Sequence, residues 1–179
     1  MKIAVYDLEM ECWEDRKGIG EIIEIGAALV DLSKGEITQI VNVIVKPQDP
    51  INPFTTKITG ITQKMVNAQG VSLEEAVRRI NKKISMKNNP WFAWGRDIDT
   101  IVREFTKKGI EFDVSNFHNL AVFTRTLHQQ NRNLGLKEAC EFYGAKIVSP
   151  AHRALPDAIT TANLAIKLFE AHSPNVLIK

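Results

Sequence analysis

Lys2-Ile3-Ala4-Val5-Tyr6-Asp7-Leu8-Glu9 reads as an apolar strand that ends in two carboxylates. Ile3, Val5 and the ring of Tyr6 suit a buried strand. Residues at i and i+2 of a strand point to the same face, so Asp7 and Glu9 project together. Two anions held side by side are unfavourable unless a cation lies between them. The pair is therefore one part of a divalent-metal site, or else the strand simply runs out into an acidic turn.

Composition bounds the alternatives. The chain has 179 residues, 44% of them hydrophobic and 25% charged, which suits one well-buried domain spanning residues 1–179. No apolar run approaches the ~20 residues of a membrane span. Charged residues interrupt the apolar ones near the N-terminus, so no secretory leader is read, and a cytoplasmic protein with no membrane association is expected. Cys12 and Cys140 stand apart, which argues against a zinc knuckle and a disulfide framework. The formal net charge of +2 leaves any polyanion contact to a local patch. The oligomeric state is not legible.

Outward from the first strand, the polar stretch from Met10 to Gly20 reads as a loop, and Glu21 to Asp31 as a central strand. Ile37 to Lys46 follows as a third strand after the Ser33-Lys34-Gly35 turn, and the short connections favour an antiparallel meander. A proline-bearing loop (Pro47, Pro50, Pro53) precedes a short helix around Gln63 to Asn67. Ser72-Leu73-Glu74-Glu75 has the capping-box form and opens a helix whose end carries Lys82 and Lys83. Pro90 to Gly95 reads as a short strand. Asp97 to Lys108 reads as a helix with Ile98, Ile101, Val102 and Phe105 on its core face. Leu120 to Phe123 is an edge strand or a helix start. Leu136 to Tyr143 is a helix closed by Gly144, and Asp157 to Ala171 is the last helix. Strands first, then alternating helix and strand, give a mixed α/β sheet with helices on its faces.

Two more acidic stretches could complete a site begun by Asp7 and Glu9. Trp94-Gly95-Arg96-Asp97-Ile98-Asp99 places carboxylates at a strand-to-helix junction, where sites in sheet proteins form. His152-Arg153-Ala154-Leu155-Pro156-Asp157 places a histidine five residues before an aspartate at a helix start. Each aspartate, taken alone, could be a helix cap.

Together these motifs resemble the DEDDh branch of the DnaQ-like 3′–5′ exonucleases. Asp7-Leu8-Glu9 is similar to the family's first motif, and His152 with Asp157 to its third. EIIEIGA at Glu21 to Ala27 is similar to its second strand, and Thr59-Gly60-Ile61-Thr62 to its substrate-side loop. The resemblance runs from Lys2 to about Phe169. Asp7-Leu8-Glu9 followed by Cys12-Trp13-Glu14, and the Trp-Gly pair, are most similar to the KapD and histone-mRNA 3′-exonuclease subgroup. The middle motif departs from that subgroup, because its usual count from Trp-Gly falls on Ile98. Ile98-Asp99 with Val102 fits the wider family, which makes Asp99 the expected ligand and Asp97 a cap. The alternative makes Asp97 the ligand, with Ile101 and Phe105 on the buried face.

The resemblance implies a ribonuclease H-like fold: a mixed five-stranded sheet, with an antiparallel meander of strands one to three, then parallel strands, flanked by helices. It implies a metal-dependent 3′–5′ exonuclease that releases nucleoside 5′-monophosphates from single-stranded nucleic acid, RNA or short oligonucleotides favoured. Two Mg2+ or Mn2+ ions would be held by Asp7, Glu9, Asp99 and Asp157, with His152 as general base. Met10, Trp13 and Trp94 are candidate base contacts, and Lys57, Arg125, Arg132 and Arg153 candidate phosphate contacts. A DNA repair or proofreading nuclease is the alternative enzyme, and an inactive nucleic-acid-binding module the alternative class. The module would show gaps in the acid and histidine set, and this chain has none.

Overall fold

The computed structural model describes residues 1–15, 20–129 and 131–172. Part of the loop expected from Met10 to Gly20, and the tail from Ser173 to Lys179, lie outside the described residues. Strands β1 (Lys2–Met10), β2 (Ile22–Asp31) and β3 (Glu36–Ile44) form the expected meander. Strands β4 (Trp91–Ala93) and β5 (Phe117–Asn119) complete a five-stranded sheet of order β3-β2-β1-β4-β5. β1 pairs antiparallel with β2 and parallel with β4. β1 and β4 therefore end at the same edge of the sheet.

Side-chain alternation along β1 divides the core into two layers. Ala4, Tyr6 and Leu8 face one layer, with Leu73, Ala76 and Ile80 of helix α3 (Leu73–Lys83) and Ile101 and Phe105 of α4 (Asp97–Lys108). Ile3 and Val5 face the other, with Ala162, Leu164, Ala165 and Leu168 of α7 (Ala154–His172). Asp7 and Glu9 continue the series of Ile3 and Val5 beyond the apolar packing.

Three sequence expectations change, and one open alternative, at Leu120, is settled. The proline loop contains a helix, α1 (Pro53–Thr59), because Asn52 accepts from the Thr55 N–H and Pro53 occupies the first turn, where no donor is needed. A second short helix, α2 (Gln63–Gln69), follows where one was expected. Leu120 opens a helix, α5 (Leu120–Leu127), since the Asn119 carboxamide caps it at the end of β5. Val102 faces outward, 39% exposed, while Glu104 is buried in its place. The last helix begins at Ala154, upstream of Asp157, because a side chain from β2 receives its first N–H group. Helix α6 (Leu136–Tyr143) ends as expected at Gly144, whose φ of 64° is the left-handed conformation that favours glycine. Among the described residues, no helix is long and apolar enough to cross a membrane.

Candidate active site

Three carboxylates converge at the end of β1. One ligand-capable atom from each of Asp7, Glu9 and Asp157 lies within 4.8 Å of the others. The strand supplies the first two through its alternation. The third arrives on the first turn of α7, which crosses the sheet beside β2. That crossing depends on Gly26, the β2 residue paired with Asp7. A Cβ on Gly26 would meet the Ala154 carbonyl carbon and the Leu155 nitrogen at 2.3 Å.

The start of α7 is also held by a buried anion. Glu24, paired with Glu9 across the strands, is fully buried. It accepts from Arg153 Nε at 2.9 Å and a terminal guanidinium nitrogen at 2.6 Å. It also accepts from the Ala154 N–H at 2.9 Å and from Asn42 Nδ2 at 2.8 Å. Burial alone would raise the Glu24 carboxyl, but these donors outweigh it and hold it below the ordinary range. Sequence reasoning missed Glu24. Its signal was one acid in the middle of an otherwise apolar central strand. Arg153, expected as a phosphate contact, is engaged by Glu24, and Arg132 is paired with Glu138.

The three converging acids carry the opposite signature. Burial, then the charges of Asp97, Glu9 and Asp157, push Asp7 well above the usual carboxylate range. Burial, then Asp157 and Glu24, push Glu9 up to about 8, opposed only in part by Arg153. Asp157 is also raised by burial, although the His152 N–H, 2.9 Å from its Oδ2, favours its anion. Closely spaced oxygen ligands with too little positive charge fit a hard divalent cation of the Mg2+ or Mn2+ type, not zinc.

Asp97 and Asp99 occupy different environments. Both lie in the first turn of α4, but two residues along a helix is more than half a turn. Asp99 points into solvent and pairs with Arg96 at 2.6 Å, its side chain 55% exposed. Asp97 shares a helix face with buried Ile101 and Phe105. Its Oδ2 is buried with no hydrogen-bond partner, and burial pushes its carboxyl up to about 7. Asp97 is also the largest of the charges acting on Asp7.

Around these acids lie the other candidate residues. His152 is exposed on the turn before α7, with a φ of 60°. Met10 is half-buried, its sulfur accepting from Thr100 Oγ1 at 3.1 Å. Trp13 is half-buried in the loop after β1, which Asn52 and Thr55 fasten to α1 through the Cys12 backbone. Trp94 donates from its indole to the Leu134 carbonyl at 3.1 Å and packs on the α7 layer.

The model of the RNase T family, described as exonuclease, matches residues 4–165. A PolC-type DNA polymerase III from Caldanaerobacter subterraneus subsp. tengcongensis is 32% identical over 154 residues, which is 84% of this chain and 10% of that protein. ERI1 exoribonuclease 2 from Xenopus laevis is 27% identical over 193 residues, 93% of this chain and 28% of that one. The probable 3′–5′ exonuclease KapD from Bacillus subtilis is 29% identical over 156 residues, 84% of this chain and 72% of that one. The chain thus spans only a small part of the first two relatives. The solved nuclease domain of 3′hExo, a DEDDh family member bound to rAMP, aligns with a TM-score of 0.86 at 18% identity. The alignment covers 96% of this chain and 92% of that one. That likeness is one of fold, and it makes the sheet and its helices the ribonuclease H-like exonuclease architecture.

Proposed function

Since the chain belongs to the RNase T exonuclease family, we propose that it is a 3′–5′ exonuclease that hydrolyses the terminal phosphodiester of single-stranded nucleic acid. The observation that carries this reading is the meeting of Asp7, Glu9 and Asp157 within 4.8 Å at the end of the sheet. Asp7, Glu9 and Asp157 would hold the cation, and Asp97, rather than the expected Asp99, would be the fourth carboxylate. Its buried, unpartnered oxygen supports this choice, as does the ion pair that keeps Asp99 in solvent. A divalent cation held by these residues would supply the positive charge that an in-line displacement at phosphorus requires.

The chain's own groups do the rest. His152 takes a proton from the attacking water as its oxygen bonds to phosphorus. An imidazole suits that task because its ordinary pKa lies near working pH. The bond from phosphorus to the preceding 3′ oxygen breaks, that oxygen takes a proton from solvent water to become the 3′-hydroxyl of the shortened strand, and the nucleoside 5′-monophosphate is released. Exposure of His152 at a helix start lets it approach the phosphate, and its backbone N–H on Asp157 ties it to the acids. Met10 and Trp13, beside the first motif, would contact the terminal base by apolar packing and stacking. Trp94 supports the strand end through Leu134 instead.

RNA is the favoured substrate, by analogy with relatives whose names record exoribonuclease action and a histone mRNA stem-loop. The PolC-type relative favours the second reading, action on DNA. The test is incubation of the chain with 5′-labelled RNA and single-stranded DNA in Mn2+, Mg2+ or EDTA. A ladder shortened from the 3′ end in either metal, abolished by EDTA and by Asp7→Asn, is expected. Intact oligonucleotides under every condition would refute the enzyme, and their retention in a gel shift would mark a binding module.

A further inference from the structure

Among the buried oxygens with no hydrogen-bond partner within the described residues are the Tyr6 hydroxyl, on the α3 and α4 side of the sheet, and Asp97 Oδ2, at the start of α4. Buried polar groups are ordinarily paired, so each orphan calls for an explanation. The two have a common setting. Tyr6 immediately precedes Asp7 on β1, and alternation turns it away from the three-acid cluster toward the layer where α4 packs. Asp97 is the first residue of α4. Of all charges acting on the Tyr6 hydroxyl, that of Asp97 is the largest. The ring is fixed by Trp91 and Phe117, at centroid distances of 6.0 and 5.7 Å, so the hydroxyl is aimed by packing.

We propose that Tyr6 is a positioning residue for Asp97: its hydroxyl donates to the buried Oδ2 in the cation-loaded site, leaving the other carboxylate oxygen for the cation. This rests on the reading of Asp97 as the fourth carboxylate. Chemically, carboxylates that bind a cation are themselves held by hydrogen bonds, and such outer partners set orientation and affinity. No donor among the described residues, the Tyr6 hydroxyl included, is hydrogen-bonded to Asp97 Oδ2 in this structure, so the proposed bond is one that forms when the cation binds. A hydroxyl with a purely structural role would cost stability when removed. One that is orphaned without the cation would not, since phenylalanine keeps the ring packing and deletes only the unpaired oxygen.

Calorimetric titration of the full chain with Mn2+, paired with thermal unfolding in EDTA, separates the possibilities across wild type, Tyr6→Phe and Asp97→Asn. Tyr6→Phe is expected to melt in EDTA at or above the wild-type temperature yet bind Mn2+ roughly 10–100-fold more weakly. Saturating Mn2+ should then restore most of its kcat. If Asp97→Asn weakens Mn2+ binding and Tyr6→Phe does not, the role of Tyr6 is refuted and the four-acid reading stands. If neither variant changes Mn2+ binding, the reading of Asp97 falls and the positioning role with it. Lower stability of Tyr6→Phe in EDTA with unchanged Mn2+ affinity would also refute the proposal, marking the hydroxyl as structural.

Discussion

Gly26 lies directly beneath the backbone of Ala154: a methyl group placed on it would stand 2.3 Å from the Ala154 carbonyl carbon. This contact sets how closely the start of α7 approaches β1, because Gly26 is the pairing partner of Asp7. Backbone atoms cannot rotate aside as a side-chain tip can. Gly26→Ala should therefore destabilise by at least ~2 kcal/mol, in the range of an overpacked core. It should also lower nuclease activity in whatever fraction remains folded, by moving Asp157 from Asp7 and Glu9. Denaturant unfolding and the oligonucleotide assay at a permissive temperature check both parts.

Asp97 and Asp99 should respond in opposite ways to loss of charge. Asp99→Asn removes only an exposed pair with Arg96, worth about 0–1 kcal/mol, and activity should stay near the native level. Asp97→Asn should reduce turnover by more than ~10²-fold, beyond what loss of an outer-shell partner costs. Parallel turnover measurements of the two variants decide the matter, and equal losses would contradict the assignment.

His152→Ala should lower kcat by on the order of 10²–10⁴ while leaving Mn2+ affinity and unfolding temperature nearly unchanged. The side chain is exposed, and the hydrogen bond to Asp157 comes from the backbone N–H, which the substitution keeps. Single-turnover kinetics beside metal titration would show the split.

The metal-free protein should lose stability as pH rises. Burial first, with carboxylate repulsion added at Asp7 and Glu9, raises Asp7, Glu9 (to about 8) and Asp97 (to about 7). A folded-state pKa above the unfolded one gives stability that is complete below the unfolded value, near pH 4, and is lost through the folded value. In EDTA the Tm should fall between pH 5 and pH 9. Added Mn2+ or Mg2+ should flatten that slope, because the cation replaces the protons and binds better as they leave. A rising Tm over this window in EDTA would contradict the electrostatic account.

Glu24→Ala should be among the most damaging substitutions outside the acids. It leaves Arg153 half-buried without its partner and the Ala154 N–H without an acceptor. Breaking such a pair costs about 3–5 kcal/mol. Replacing both partners, Glu24→Met with Arg153→Met, should recover part of the stability but little activity, because the first turn of α7 is then no longer fastened to β2. Chemical denaturation of the single and double variants measures the recovery.

Much of this protein could be read from local pattern. The alternation of β1, the meander, the capping box before α3, the Gly144 helix stop and the spacing of His152 from Asp157 all depend on neighbours in the chain. For these, period and side-chain type are sufficient physical causes. The same logic set Asp7 and Glu9 side by side, whereas Asp157 was singled out by the resemblance of His152 and Asp157 to the family's third motif. Local pattern failed where neighbours in space decide. Ile98 and Val102 made Asp99 look like the inward acid, yet α4 packs with Ile101, Phe105 and Glu104 buried and with Val102 and Asp99 outward.

What the order of residues determined by itself was the set of chemical groups and the strand that presents the first two, since alternation is a property of the backbone. Tertiary structure decided the rest. Parallel pairing of β4 with β1 delivers Asp97 to the same sheet edge as Asp7, the bare α-carbon of Gly26 admits α7, and Glu24 holds its first turn. These are contacts between residues remote in sequence, and their geometry exists only once the two faces of the sheet are packed.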